Sequence, residues 1–155
     1  MNIGDQIENF TLPITGTAEN FTLADAAGKI VVLYFYPKDD TPGCTIESTD
    51  FSNLLDDFNR ANAIVLGISR DNLRSHEKFR TKFDYQHHLL ADTEAMLCER
   101  FSVLNPKKMF GKPVVGISRS TFVIDRKGQL AFEWRGIRDV NGHAAEVLEK
   151  VQTLS

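Results

Sequence analysis

A run of seven apolar residues, Ile30 to Tyr36, constrains the fold of this chain more than any other feature. It has no polar alternation and is rich in β-branched and aromatic residues, which is typical of a strand covered on both faces. A second apolar run, "AIVLGIS", occupies residues 63–69, and a segment with helical periodicity follows each run. Strands that alternate with helices predict an α/β fold with a mixed central β-sheet flanked by helices.

The remaining segments predict two hairpins and the other helices. "FTLP" and "FTLA" bracket a turn-rich stretch and predict an N-terminal β-hairpin extension, and "STFVID" and "QLAFEW" flank a turn around Gly128 and predict a second hairpin. Apolar spacing predicts a helix from about 43 to 59, one that Asp71 caps, and a last one that Asn141 caps. The segment 105–116, with two prolines and two glycines, is expected to be a loop.

Length and charge bound the class of protein. With 155 residues and no repeat or linker, the chain is expected to be a single domain spanning 1–155. A net charge of −3 gives no reason to expect binding to nucleic acid or to an anionic membrane. The start, "MNIGDQIENF", has no signal-peptide pattern, and seven apolar residues fall short of the about 20 that a membrane helix needs. We therefore expect a soluble, cytoplasmic protein.

Cys44 stands where the first apolar run passes into a helix. The segment 37–43 leaves the carboxyl end of the strand, which is where chemistry gathers in sheets of this kind. The helix predicted from about residue 43 places Cys44 in its first turn, among amide N–H groups that lack partners. Phe51 and Phe58 follow at steps of seven, so the Cys44 side chain is predicted to lie on the buried stripe of the helix.

A cysteine must ionise to act as a nucleophile. A free cysteine has a pKa of about 8.5 and is about 3% thiolate at pH 7. To be mostly thiolate, it needs a pKa lower by about 2.5 units, which corresponds to about 3.4 kcal/mol of thiolate stabilisation. A helix N-terminus supplies only about 0.3–1 kcal/mol, or about 2 kcal/mol when partly buried. A nearby cation is therefore required. Arg119, which starts the apolar strand "STFVID", is the candidate, because an arginine stays charged.

These residues alone leave alternatives open. Cys44 could be a small buried core residue, which cysteines often are. Arg119 could equally hold a surface ion pair. Asp39 and Asp40 are expected to be solvated in the loop.

The residues around Cys44 match a known signature. "PKDDTPGC", from Pro37 to Cys44, fits the pattern P-x-x-x-[T/S]-x-x-C of the peroxiredoxins. The longer run "YFYPKDDTPGCTIE" resembles the bacterioferritin comigratory protein subgroup, also called PrxQ. "VLGIS", "LLAD" and "SRSTFVID" resemble later segments of that subgroup in the same order, so the resemblance covers nearly the whole chain. It implies a thioredoxin-like fold and an antioxidant thiol peroxidase that reduces hydrogen peroxide and organic hydroperoxides.

The resemblance assigns a role to several residues. Cys44 is implied to be the peroxidatic cysteine, which attacks a hydroperoxide and becomes a sulfenic acid. Thr41 is implied to orient the peroxide and Pro37 to shield the thiolate. The backbone N–H groups of Gly43 and Cys44 are implied to donate to the peroxide, and Arg119 to hold the thiolate and the charge on the breaking bond. The resemblance implies no cofactor and no metal, and it favours a monomer.

The chain departs from many members of the subgroup at Thr49, where they have a resolving cysteine. Cys98 is the other cysteine of the chain, and its helical face, shared with Ala95 and Phe101, favours a packed core thiol over a resolving role. We therefore expect a one-cysteine mechanism. Its external reductant would be thioredoxin, glutaredoxin with glutathione, or another thiol. An atypical two-cysteine mechanism that uses Cys98 is the alternative.

Other functions of the same fold fit the sequence less well. A disulfide reductase needs C-x-x-C, but Glu47 stands where the second cysteine would be. A copper-binding module needs C-x-x-x-C, but position 48 is serine. The single tryptophan, Trp134, lies too late in the chain for a glutathione peroxidase site. A non-catalytic binding or holdase role stays open.

The histidines and the basic loop receive structural predictions. His87 and His88 adjoin a predicted strand, where neighbouring side chains face opposite ways. His76 is expected to fill a helix face, and His143 to lie on the surface. The loop that carries Phe110 is expected to be solvated; alternatively, its lysines guide a reductant and Phe110 overhangs the active site. These lysines are Lys107, Lys108 and Lys112.

Overall fold

The structure is a computed structural model that describes residues 1–109 and 112–155. For residues 106–109 and 112–114 it describes the backbone alone. The strands are β1 (Thr11–Pro13), β2 (Asn20–Thr22), β3 (Ile30–Phe35), β4 (Ala63–Ser69), β5 (His88–Ala91), β6 (Leu104–Met109), β7 (Lys112–Ile117), β8 (Ser120–Ile124) and β9 (Leu130–Trp134). The helices are α1 (Pro42–Asn53), α2 (Leu55–Arg60), α3 (Leu73–Phe83), α4 (Met96–Arg100) and α5 (His143–Gln152). Phe110 and the side chains of the three basic-loop lysines lie outside the described residues.

The central sheet has five strands in the order β5-β4-β3-β8-β9. β3, β4 and β5 are parallel to one another, whereas β8 and β9 join as antiparallel strands. The sheet is therefore mixed, as predicted, and β3 is its central strand, with every residue buried. β1 and β2 form the predicted N-terminal hairpin. None of the helices in the described ranges is long and apolar enough to cross a membrane.

The sheet separates two apolar clusters. Successive β3 side chains point to opposite faces, because a strand has a period of two residues. The face that carries Leu33 packs against α4 and the N-terminal hairpin, and this cluster contains Cys98. The face that carries Tyr34 packs against α1, α2, α3 and α5, and this cluster contains Cys44. The two cysteines therefore lie on opposite sides of the sheet.

Several local predictions were wrong. The helix predicted over 43–59 is divided at Leu54, whose φ of −97° and ψ of 4° break the α-helical path. Phe51 and Phe58 still meet across this break, with ring centroids 5.9 Å apart. Part of the segment predicted to be a loop, 105–116, instead pairs as the antiparallel strands β6 and β7.

Both predicted helix caps were also wrong. Asn72, not Asp71, caps α3, and its Oδ1 accepts from the Ser75 N–H at 2.9 Å. Gly142, with a φ of 77°, caps α5 without a side-chain bond. The Asn141 side chain instead donates to Asp139 at 3.0 Å.

Gly67 provides a test of how tightly the apolar cluster that contains Tyr34 and Cys44 is packed. It pairs with Tyr34, and a Cβ at this position would lie 2.6 Å from Tyr34 Cζ and 2.7 Å from Leu89 Cδ2. We expect Gly67→Ala to lower the free energy of unfolding by about 1–3 kcal/mol, because the methyl group overfills the layer. Urea denaturation measures the change. In an unobstructed strand position the same substitution is neutral or stabilising, so an unchanged or higher stability would contradict this packing.

Candidate active site

The loop after β3 delivers Cys44 into the first turn of α1. Thr41 is extended, with φ −102° and ψ 155°, and Pro42 begins the helix, where its missing N–H has no consequence. The Thr41 carbonyl accepts the first helical hydrogen bond, from the Thr45 N–H at 2.8 Å. Gly43 and Cys44 therefore present amide N–H groups that have no partner within the helix.

Arg119 contacts Cys44 directly. β8 runs antiparallel to β3, and Ser120 pairs with Phe35, so the start of β8 lies beside the carboxyl end of β3. From there the Arg119 Nη2 group donates to the Cys44 Sγ atom at 3.2 Å. The Cys44 residue is 1% exposed. Sheet pairing thus places a fixed positive charge against a buried sulfur.

Glu47 is the second partner of this guanidinium. Arg119 Nη1 donates to Glu47 Oε1 at 2.7 Å, and the Glu47 side chain is fully buried. Glu47 follows Cys44 by three residues, so both side chains leave the same face of α1. Oε2 of Glu47 has no hydrogen-bond partner in the described part of the chain. The sequence interpretation missed this residue, although its helical spacing from Cys44 was a usable signal.

Burial and the ion pair act against each other in this group. Burial raises the pKa of Glu47 to about 7, although the charge and hydrogen bond of Arg119 oppose the rise. Burial would lower the pKa of Arg119, but Glu47 and Cys44 outweigh it and raise that pKa above its ordinary value. The guanidinium therefore stays charged, and Glu47 changes its charge near neutral pH.

The other residues of the signature line the same loop. Thr41 Oγ1 donates to the Lys38 carbonyl at 2.9 Å, which leaves its oxygen lone pairs available as acceptors. Gly43 packs against the guanidinium, since a Cβ there would lie 3.2 Å from Arg119 Nη2. Pro37 lies at the exposed start of the loop. The structure therefore brings Gly43, Cys44 and Arg119 into contact, with Thr41 at the N-cap of the same helix.

Asp39 does not behave as predicted. Asp40 is exposed and pairs with Lys82 at 2.7 Å, in keeping with a solvated position. Asp39 is instead buried and accepts hydrogen bonds from Tyr36, Ser75 and His76. Burial would raise the pKa of Asp39, but these hydrogen bonds and the nearby His76 lower it below its ordinary value. The residue is a buried anchor of the loop, which the local sequence does not reveal.

Cys98 lies in a different environment from Cys44. It is fully buried in α4, and its backbone N–H donates to Asp92 Oδ2 at 2.8 Å. Burial, with the nearby Asp92 carboxylate, raises the pKa of Cys98 far above that of an ordinary thiol. Both cysteines are free. Cys98 has the environment of a packed core thiol.

Thr49, which stands where many members of the subgroup have a resolving cysteine, takes part in a hydrogen-bonded contact. Its Oγ1 lies 3.0 Å from the Tyr85 hydroxyl, which donates to the Thr45 carbonyl at 3.0 Å. Tyr85 thereby fastens the middle of α1 to the segment after α3.

The histidines are more buried than expected. The prediction that His143 lies on the surface was wrong, because the residue is buried. Its Nε2 atom lies 2.8 Å from Thr121 Oγ1, and burial lowers the pKa of His143 to about 4. Burial likewise lowers the pKa of His87 to about 3. Asp39, Asp71 and His76 bring ligand-type atoms within 4.8 Å of one another, but hydrogen bonds within the protein engage all three.

Known proteins resemble this chain over most of its length. The sequence profile described as the AhpC/TSA family matches residues 3–133. Peroxiredoxin Bcp of Bacillus subtilis is 45% identical over 137 residues, which are 88% of this chain and 87% of that protein.

Solved structures of similar proteins have the same fold. A cysteine-to-serine mutant of Xylella fastidiosa PrxQ is 42% identical and superimposes with a TM-score of 0.92 over 99% of this chain and 96% of its own. The bacterioferritin comigratory protein of Xanthomonas campestris, studied for its alkyl peroxide reduction activity, is 40% identical, with a TM-score of 0.88 over 96% of this chain and 98% of its own.

Three observations point to the same family. The Cys44 sulfur lies at a helix start against an arginine, the central sheet is mixed, and Bcp and PrxQ proteins match most or nearly all of the chain. The chain therefore belongs to the AhpC/TSA family and, within it, is a peroxiredoxin of the Bcp/PrxQ group, a thiol-dependent peroxidase with a thioredoxin-like fold.

Proposed function

We propose that Cys44 is the peroxidatic nucleophile of this enzyme. One observation carries the proposal: Arg119 Nη2 lies 3.2 Å from Cys44 Sγ at the N-terminus of α1. The guanidinium is the cation that a thiolate needs at this position. The thiolate attacks the nearer oxygen of a hydroperoxide in line with the O–O bond. That bond breaks, the distal oxygen leaves as water or an alcohol after taking up a proton, and Cys44 becomes a sulfenic acid.

The neighbouring groups orient the peroxide. The Thr41 hydroxyl donates a hydrogen bond to the Lys38 carbonyl, so its oxygen is free to accept a hydrogen bond from the O–H of a hydroperoxide. The N–H groups of Gly43 and Cys44 donate to the peroxide oxygens, and Arg119 stabilises the charge that develops on the breaking bond. Pro37 limits the access of water to the thiolate from the exposed side of the loop.

The substrates in this proposal are hydrogen peroxide and organic hydroperoxides. The alkyl peroxide reduction activity of the Xanthomonas campestris relative supports the organic class. The groups that orient the peroxide contact only its two oxygen atoms, so they suit either class of substrate.

The proposed cycle uses one cysteine. Thr49 cannot form a disulfide, and Cys98 lies on the other side of the central sheet from Cys44. A disulfide needs Cα atoms within about 7 Å, so bridging the two cysteines would require the sheet or its helices to open. An external thiol therefore reduces the sulfenic acid: thioredoxin, glutaredoxin with glutathione, or a small thiol.

The assembly and setting complete the proposal. We propose that residues 1–155 act as one domain and as a monomer. The two free cysteines support a reducing compartment such as the cytoplasm.

Arg119→Ala tests the origin of thiolate stabilisation. We expect the rate of peroxide consumption, as kcat/KM, to fall about a hundredfold, as when one donor to a developing charge is removed. The rate constant for iodoacetamide alkylation of Cys44 at a fixed neutral pH should also fall, because the sulfur loses its hydrogen-bond donor. Arg135→Ala is the matched control, since Arg135 donates to the Phe101 carbonyl and not to the cysteine. An unchanged alkylation rate constant in Arg119→Ala would remove Arg119 from the site.

Glu47 should titrate close to neutrality. Its pKa of about 7 means that the carboxyl is protonated below that pH and ionised above it, because burial disfavours the charged form. Infrared difference spectroscopy should show a protonated carboxyl band that disappears as the pH rises through about 7. The band should be absent from Glu47→Gln. Disappearance near the ordinary glutamate value would refute the environment described for this side chain.

The two cysteines should differ completely in function. We expect Cys44→Ser to abolish peroxide consumption, and Cys98→Ser to retain most of it. Intact mass spectrometry after one equivalent of peroxide should show a single added oxygen in wild type and in Cys98→Ser. Loss of turnover in Cys98→Ser, together with a 44–98 disulfide in wild type on non-reducing peptide mapping, would establish the two-cysteine alternative. Undiminished activity in Cys44→Ser would overturn the proposed function itself.

A further inference from the structure

A buried contact between Asp39 and His76 fastens the proposed active-site loop to α3. Asp39 lies in the middle of the loop that joins β3 to α1, and its Oδ2 accepts from His76 Nδ1 of α3 at 2.8 Å. The opposite ring nitrogen, Nε2, lies 2.9 Å from the Leu90 carbonyl of β5. His76 is 0% exposed. The loop is thus tied through one imidazole ring to the backbone of a sheet strand.

The two nitrogens of the His76 ring contact different elements. A carbonyl oxygen can only accept, so His76 Nε2 donates to Leu90. On the other side of the ring, Nδ1 lies 2.8 Å from Asp39 Oδ2 and 3.0 Å from Asp39 Oδ1. Directional contacts on both sides of one buried ring define the position of Asp39 relative to β5.

Further contacts hold Asp39 from other sides. Tyr36 Oη donates to Oδ1 at 2.6 Å, and Ser75 Oγ donates to Oδ2 at 2.7 Å. The Asp39 backbone N–H donates to Asp71 Oδ2 at 2.8 Å, and Ser69 Oγ holds the same oxygen at 2.7 Å. Asp39 is therefore held by Tyr36, by the turn that follows β4 and by α3.

Thr41 depends on the position of this loop. Its hydroxyl donates to the carbonyl of Lys38, the residue directly before Asp39. A shift of Asp39 would move that carbonyl and redirect the hydroxyl that is to receive the peroxide. The charge partner of Cys44 comes from elsewhere, because Arg119 precedes β8 and does not contact the loop anchor. The support for peroxide orientation and the support for thiolate formation are structurally separate.

We propose that His76, acting through Asp39, is a positioning residue that sets the orientation of the peroxide-binding loop without stabilising the thiolate. This inference rests on the proposed role of Thr41 in binding peroxide. It implies that losing the His76–Asp39 bond slows attack on peroxide far more than it slows reactions of Cys44 that need no oriented substrate, such as alkylation by iodoacetamide.

Two substitutions separate the two bonds of the imidazole ring. In His76→Asn the amide nitrogen occupies the place of Nδ1 and can still donate to Asp39, whereas the bond to Leu90 is lost. In His76→Gln the amide nitrogen occupies the place of Nε2 and keeps the Leu90 bond, whereas the Asp39 bond is lost. Both variants are uncharged and each loses one hydrogen bond, so they are a matched pair.

The experiment measures two second-order rate constants of Cys44 in each variant. Stopped-flow kinetics gives the constant for hydrogen peroxide, and peptide mapping gives the constant for iodoacetamide. We expect His76→Gln to lower the peroxide constant about tenfold or more, as small misplacements of reacting groups do. Its alkylation constant should stay within about twofold, and His76→Asn should retain most of the peroxide constant.

The outcomes that overturn the proposal are equally specific. An unchanged peroxide constant in His76→Gln, equal losses in the Gln and Asn variants, or a parallel fall of peroxide and alkylation constants would each refute it. His88→Asn is the control, because His88 bonds to Thr15 and does not contact the loop; a selective peroxide loss of the same size there would also refute it. If His76→Gln does not fold, Asp39→Asn replaces it with the same expected selectivity. A wild-type protein inert toward peroxide would instead refute the proposed function.

Discussion

The guanidinium of Arg119 is the group on which the proposed active site depends. It contacts the sulfur of Cys44 and the carboxyl group of Glu47 at the same time, at 3.2 Å and 2.7 Å. The first turn of a helix cannot supply enough stabilisation to ionise a thiol, so the proposed chemistry needs this cation. The antiparallel pairing of β8 with β3 brings Arg119 to the sulfur, so the mixed sheet is what makes this contact possible.

The same sheet divides the redox chemistry of the chain. Cys44 lies on the face with α1 and next to a cation, whereas Cys98 lies on the opposite face, beside the Asp92 carboxylate. The Cys44 sulfur thus lies beside a cation, whereas burial and Asp92 raise the pKa of Cys98. Position 49 is a threonine bonded to Tyr85, so α1 carries no second thiol. These contacts support the proposal that the reductant comes from outside.

Two independent supports converge on the loop between β3 and α1. Arg119 contacts the sulfur and is itself held by Glu47, and the buried Asp39–His76 contact holds the segment that precedes Thr41. A peroxidase must both generate a nucleophile and align its substrate, and in the proposed site different elements of the fold serve the two functions. Gly43 allows the close approach of the guanidinium to the first turn of α1.

The sequence by itself determined the central strand, the alternation of strands and helices, the two predicted hairpins and the place of Cys44 at a helix start, because these depend on local periodicity. The signature from Pro37 to Cys44 indicated the family, because its residues are contiguous in the chain and can be matched without the fold. Only the tertiary structure decided that Arg119 faces a sulfur 75 positions earlier, that Glu47 shares the guanidinium, and that Asp39 is buried against His76 rather than solvated. Asp71 was misjudged as a cap because its carboxylate is used by Asp39, 32 positions away. Such contacts depend on strand register and helix docking, which bring distant residues together and which no local pattern of side chains encodes.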